Sequence, residues 1–283
     1  IRSIELEHHV SIIPMSGHRK AQKPFDGWLV FTDLDGTLLD HHSYDFSPAL
    51  PALRLLKENQ IPVIPISSKT HAELNVHKAQ LELDGPMVAE NGAVIIYPNE
   101  EPQVAPPGYL MMRDFLVDCR SNPDFDFIGF GDMSDEQVMQ ETGLNRESAQ
   151  LAQQRLASEP LLWHGDQESL KRFQRKAQSA GMRLLQGGRF LHLLSDTDKG
   201  QAITHIVNHL RSRGKQINRT IALGDSDNDR AMLLAANTPI IVRKHDGSHM
   251  TLPERPDTKV TDEPGPAGWN QALLDLIQQF EER

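Results

Sequence analysis

The 283-residue chain has a single cysteine, Cys119, so no disulfide can form within it. That usage fits a reducing compartment, and a cytoplasmic location is the expectation. Long hydrophobic runs are also missing. No stretch approaches the ~20 apolar residues that a membrane-crossing helix needs. The first two dozen residues hold only a short Ile12-Ile13 pair amid histidine and charge, without the long apolar region of a signal peptide. Residues 1–24 therefore read as an N-terminal extension. Positive charge is in deficit, with 29 Lys and Arg against 39 Asp and Glu and a net charge of -10. A field of that sign excludes a grip on nucleic acid or an anionic membrane through overall charge, and leaves room only for a local cationic pocket. No internal repeat or low-complexity block occurs. The length suffices for a large core and suggests two domains.

What the chain does have is Trp28-Leu29-Val30-Phe31-Thr32-Asp33-Leu34-Asp35-Gly36-Thr37-Leu38-Leu39. An apolar run of strand formers feeds two carboxylates two positions apart. Side chains alternate along a strand, so Asp33 and Asp35 can converge at its end. Two acids this close repel, and a divalent cation is the usual neutraliser. A plain strand followed by an Asp-Gly turn is the competing reading, but this string is far more specific than a lone Asp-Gly. A second acidic string, Gly224-Asp225-Ser226-Asp227-Asn228-Asp229, follows another apolar run, Thr220 to Leu223. Taken alone, such a loop binds calcium or caps a helix.

Strand and helix signals alternate from Trp28 to Tyr97. Ser47-Pro48 reads as a helix start, Ile61 to Ile66 as a strand, Thr70 with Glu73 as a capping box, and Met87 to Ala89 and Ala93 to Tyr97 as strands. This β-α-β-α-β order predicts a parallel sheet with crossover helices, whose ligands gather at the carboxyl ends of the strands. The rhythm breaks over residues 98–194, where a hairpin is expected from Arg183 to Leu194. It resumes with Lys199-Gly200 and a helix, then the strand before Gly224 and another from Pro239 to Val242. Residues 243–268 read mostly as loop, and Trp269 to Glu281 as a final helix. The expected fold class is α/β: a Rossmann-like parallel-sheet core over residues 25–97 and 195–283, with an inserted α+β domain over 98–194.

Asp-x-Asp-Gly-Thr after a buried strand, with Gly-Asp-x-x-Asn-Asp late in the chain, resembles the motifs of the haloacid-dehalogenase-like (HAD) phosphotransferases. The resemblance implies Asp33 as the nucleophile that takes a phosphoryl group and Asp35 as general acid and base. Ser67 resembles the second motif, whose hydroxyl holds a phosphoryl oxygen, with Ser68 as the alternative and Lys69 as a substrate contact. Lys199 resembles the third motif, a fixed cation among the acids. The implied cofactor is Mg²⁺, held by Asp225, by Asp33 through a carboxylate oxygen and by the backbone carbonyl of Asp35, with Asp229 ligating it through water or orienting a ligand. Glu90-Asn91-Gly92-Ala93 resembles the segment before the insert in relatives with a large α/β cap, making Asn91 and Gly92 substrate-side positions, as is Asn228. An ordinary Asn-Gly turn is the bland alternative there.

Three further strings resemble mannosyl-3-phosphoglycerate phosphatases: Gly143-Leu144-Asn145-Arg146, Gln186-Gly187-Gly188-Arg189-Phe190-Leu191-His192 and Gly265-Pro266-Ala267-Gly268-Trp269. This implies hydrolysis of a small anionic sugar phosphate, mannosyl-3-phosphoglycerate above others, with Arg189 as a candidate for its carboxylate. A glucosyl substrate, a phosphomannomutase-like mutase and a catalytically idle binding protein are the rivals; the last is weakened because no core motif residue is missing.

Overall fold

The computed structural model describes residues 24–187 and 189–282. The expected N-terminal extension falls, up to residue 23, outside the described residues, as does Gly188. In chain order the elements are β1 (Trp28–Thr32), α1 (Leu50–Glu58), β2 (Val63–Pro65), α2 (His71–Gln80), β3 (Met87–Ala89), β4 (Val94–Ile96), β5 (Gln103–Val104), α3 (Tyr109–Cys119), β6 (Phe127–Gly129), α4 (Asp135–Thr142), α5 (Arg146–Ala152), β7 (Ser158–Trp163), α6 (Gln167–Ser179), β8 (Met182–Gln186), β9 (Leu191–Ser195), α7 (Lys199–Ser212), β10 (Arg219–Gly224), α8 (Arg230–Ala235), β11 (Thr238–Arg243), β12 (Lys259–Pro264) and α9 (Gly265–Glu281).

The apolar run of β1 is buried at every residue because both faces of its sheet are covered. Trp28 and Val30 join a cluster with Leu56 of α1 and Trp269 and Leu273 of α9. Leu29 and Phe31 point the other way, onto Ile203 and Ile206 of α7 and Leu233 of α8. The sheet has five parallel strands in the order β12-β11-β10-β1-β2. Separate antiparallel sheets accompany it, β3-β4-β5 and β6-β7-β9-β8. One face of the latter packs on α3 and α6 through Met112, Leu116, Phe173, Leu161 and Leu193. The architecture is thus the expected α/β one, a Rossmann-like parallel core with a separate antiparallel cap sheet.

Four local expectations change. β3 does not extend the parallel sheet: the turn at Glu90–Gly92 folds β4 back on it as a hairpin, and a lone bridge, Ile66 to Val88, ties it to the end of β2. Ser47 does not cap a helix; it lies in a 3-10 turn, and its own N–H and hydroxyl donate to Asp45. The segment expected as loop up to Gly268 contains β12, an edge strand paired, among the described residues, only with β11, and α9 begins at Gly265. Charged edge residues such as Lys259, Asp262 and Glu263 obscured that strand, since an edge needs no apolar alternation. Arg189 lies before β9 rather than within it.

Candidate active site

The register of the central sheet sets the site. Thr32 pairs with Leu223, and Asp33 continues the ladder by donating its N–H to Leu223 O at 2.9 Å. The loops after β1 and β10 therefore leave the sheet side by side. Gly36 (φ +81°) turns the first loop against the second, and a Cβ there would lie 3.1 Å from Asp225 Oδ2. Thr37 Oγ1 donates to Asp225 Oδ1 at 3.4 Å.

Lys199, the first residue of α7, is brought in from a third element, and its burial is nearly complete. Its Nζ is 2.7 Å from Asp33 Oδ1 and 2.6 Å from Asp229 Oδ1. The other oxygen of Asp229 accepts the N–H groups of Asp225 and Ser226, both at 3.1 Å. Asp229 is thus held on all sides and orients its neighbours. Asn228 is tied into the same loop by the hydroxyl of Ser226 at 2.6 Å.

Asp33, Asp225 and Asp229 can each offer a carboxylate oxygen within 4.8 Å of the others, a group able to coordinate a divalent metal. Burial pushes the Asp33 carboxyl well above its usual range, and repulsion from Asp229 adds to this against the pull of Lys199. Asp225 is pushed up to about 6, by burial first and then by Asp229. Lys199 is raised: burial opposes its charge, but Asp229 and Asp33 outweigh that. One ammonium does not neutralise three carboxylates. A hard cation with oxygen preference fits the remaining negative charge, and the buried Asp35 Oδ1, which has no protein partner among the described residues, lies at the same strand end. The Asp35 side chain is not part of the triad of carboxylates; its Oδ2 pairs with Lys69 Nζ at 2.9 Å. Burial works against the Lys69 charge, yet Asp35 and Glu73 hold its pKa above the usual lysine value.

Ser67 follows β2 and is buried; its Oγ accepts the Lys69 N–H at 3.2 Å, and its carbonyl accepts the Asn91 N–H at 2.9 Å. Asn91 has φ +58° and a buried Oδ1 with no partner among the described residues. Gly92 serves packing: at φ +106°, a Cβ would come 2.4 Å from Asp198 O, blocking the backbone that presents Lys199.

Two residues that the sequence reading did not single out join this region to the cap. Glu90, fully buried, accepts from Leu156 N, Ala157 N and Ser158 Oγ at 2.8, 3.0 and 2.7 Å. Arg155 donates to Ser68 O at 3.0 Å. The only signal for Glu90 was its place in Glu90-Asn91-Gly92, and for Arg155 none existed, because its partner is a backbone carbonyl. Arg189 is not brought to the carboxylates; its side chain is 60% exposed, donates to Glu141 O and lies 3.7 Å from Glu141 Oε2. Of the three strings that narrow the resemblance, Gly143 ends α4 in the left-handed conformation and Asn145 caps α5 in the cap, while Trp269 anchors α9 of the core under β1.

A family model described as haloacid dehalogenase-like hydrolase matches residues 30–105 and 166–246. The chain belongs to this family. Both matched segments hold site residues, Asp33 to Asn91 in the first and Lys199 to Asp229 in the second. Among HAD relatives, a protein of Methanococcoides burtonii named glucosyl-3-phosphoglycerate/mannosyl-3-phosphoglycerate phosphatase is 37% identical over 264 residues, covering 88% of this chain and 97% of its own. A Persephonella marina protein of the same name is 31% identical, covering 89% and 98%. A solved HAD-superfamily phosphatase of Bacteroides thetaiotaomicron has the same fold, with a TM-score of 0.67 at 16% identity, covering 96% of this chain and 99% of that one.

Proposed function

We propose that this HAD hydrolase is a Mg²⁺-dependent phosphomonoesterase acting on a sugar-linked phosphoglycerate, with mannosyl-3-phosphoglycerate or its glucosyl counterpart as substrate. The observation that carries the reading is Lys199 Nζ bridging Asp33 and Asp229 at the end of β1. It fixes one oxygen of Asp33 and leaves the carboxylate oriented for attack. The names of the two relatives supply the substrate class.

In this reading an oxygen of Asp33 attacks phosphorus, forming an aspartyl phosphate as the bond to the substrate oxygen breaks. Asp35 gives that oxygen a proton, then takes one from the water that hydrolyses the intermediate. Lys69 holds Asp35 in place through its 2.9 Å contact. The hydroxyl of Ser67 and the ammonium of Lys199 hold phosphoryl oxygens and offset their charge. Asp33, Asp225 and Asp229, with the Asp35 carbonyl, would hold Mg²⁺, which supplies charge neutralisation at the transferring phosphoryl group. Ser68, Lys69, Asn91 and Asn228 border the leaving group.

The test is phosphate release from a panel of phosphorylated sugars and glycosyl phosphoglycerates, with and without EDTA. Metal-dependent release that prefers the glycosyl phosphoglycerates, and its fall by orders of magnitude in Asp33→Asn, is the expected result. Turnover within tenfold of the parent in that variant would remove Asp33 from its role. A need for a bisphosphate activator would turn the reading to a mutase.

A further inference from the structure

A cleft of about 650 Å³ opens between the core and the cap, lined by Tyr44, Lys69, Glu73 and His77 on one side and Ser148 and Leu151 of α5 on the other. Tyr44 is 42% exposed and sits at φ +57°, a conformation that costs an aromatic residue energy. The turn that carries it is heavily constrained. Asp40 Oδ1 accepts from His42 N, Ser43 N and Ser43 Oγ at 3.0, 2.8 and 2.9 Å, and Asp40 Oδ2 meets His245 Nε2 at 2.6 Å. Tyr44 N donates to Asp40 O at 3.0 Å, and Asp40 N to Asp45 O at 2.9 Å. A turn fixed by this many bonds presents an exposed ring, where a polar loop would ordinarily place Asn or Gly.

The ring faces the chemistry. Lys69 Nζ lies 4.9 Å from the Tyr44 ring centroid and 2.9 Å from Asp35 Oδ2. A leaving oxygen protonated by Asp35 therefore has its remaining skeleton next to Lys69 and, one group farther on, Tyr44.

We infer that Tyr44 is the platform on which the hexose of the substrate stacks, in the cleft closed by Ser148 and Leu151 of the cap. A pyranose carries C–H groups on its face and hydroxyls on its rim. The ring takes the face, as aromatic surfaces do for amphipathic partners. Glu73, His77 and Ser148 offer polar atoms to the rim. The Asp33 cluster, with Lys199 bridging Asp33 and Asp229, gathers the charged groups that a phosphoryl group and a metal ion need, which places the phosphate inside and the sugar outside. Discrimination between glycosylated and bare phosphates then resides in a core loop that the cap completes.

This inference rests on the glycosyl-phosphoglycerate reading above, so the unmodified protein is assayed first. If it shows no preference for glycosyl phosphoglycerates over acetyl phosphate, that reading fails and the inference falls with it. With the preference present, Tyr44→Asn and Tyr44→Phe are compared. Asparagine accepts the positive φ, and phenylalanine keeps the ring. The expected result is that Tyr44→Asn lowers kcat/KM for the glycosylated substrate at least fivefold more than for acetyl phosphate, mainly through KM, and that Tyr44→Phe restores most of it. Equal losses on both substrates would make the ring a support for Lys69, and no selective loss would make it a surface residue; either overturns the inference while leaving the phosphatase reading intact.

Discussion

Trp269 and Thr32, 237 positions apart in sequence, share a buried hydrogen bond of 3.0 Å from indole N–H to hydroxyl. Thr32 Oγ1 in turn donates to the carbonyl of Asp33 at 2.7 Å. The last helix is thereby fastened to the backbone of the residue assigned the attack on phosphorus. Trp269→Phe keeps the apolar bulk and deletes the donor. The expected cost is about 1 kcal/mol of stability together with a severalfold lower kcat, since small displacements of a nucleophile are costly. Urea unfolding and steady-state phosphate release measure the two; a stability loss with kcat unchanged would confine Trp269 to packing.

Lys199 is buried between two carboxylates, and removing it leaves them facing each other. Lys199→Met should destabilise the protein by about 3–5 kcal/mol, as for other broken buried ion pairs. Added Mg²⁺ should recover part of the loss by binding the folded state. A variant as stable as the parent in EDTA would show that the pair is dispensable to the fold.

Glu90 accepts three hydrogen bonds from the segment that enters β7. Glu90→Ala would strand two backbone N–H groups and a hydroxyl, at a cost of about 3 kcal/mol or more. The midpoint of urea unfolding reports this, and a shift worth less than about 1 kcal/mol would mean that water replaces the carboxylate freely.

His192 makes a pH-dependent contribution of definite sign. Burial and then the nearby Arg155 hold its imidazole down to about 3, from an ordinary 6.5. Below pH 6.5 the unfolded chain binds a proton at this residue that the folded chain refuses. Stability contributed by neutral His192 is present above 6.5 and falls as pH drops from 6.5 toward 3, by at most about 1.4 kcal/mol per unit. His192→Gln should therefore lose less stability than the parent between pH 7.5 and pH 5. Parallel losses in the two proteins would contradict the burial of a neutral ring.

The sequence alone determined the chemistry-bearing strand ends. Asp33 and Asp35 followed a run of four apolar residues and a threonine, and Asp225 to Asp229 followed another largely apolar run, because a strand covered on both faces must be almost continuously apolar and a polar loop must end it. The capping box at Thr70 was equally legible, since its hydrogen bonds span three residues. Other features waited on tertiary structure because they join residues remote in sequence. Motif resemblance had pointed to Lys199 as a cation among the acids, but its direct contacts to Asp33, 166 positions away, and to Asp229 appear only in the fold, and Arg155 met a carbonyl that no side-chain pattern encodes. β12 was hidden because an edge strand tolerates charge, and β3 stands outside the parallel sheet because the three-residue turn at Glu90–Gly92 pairs it antiparallel with β4. No sequence pattern singled out Tyr44. Its position over Lys69 was decided by the bonds that Asp40 makes within the turn and by the fold that sets α2 beside it.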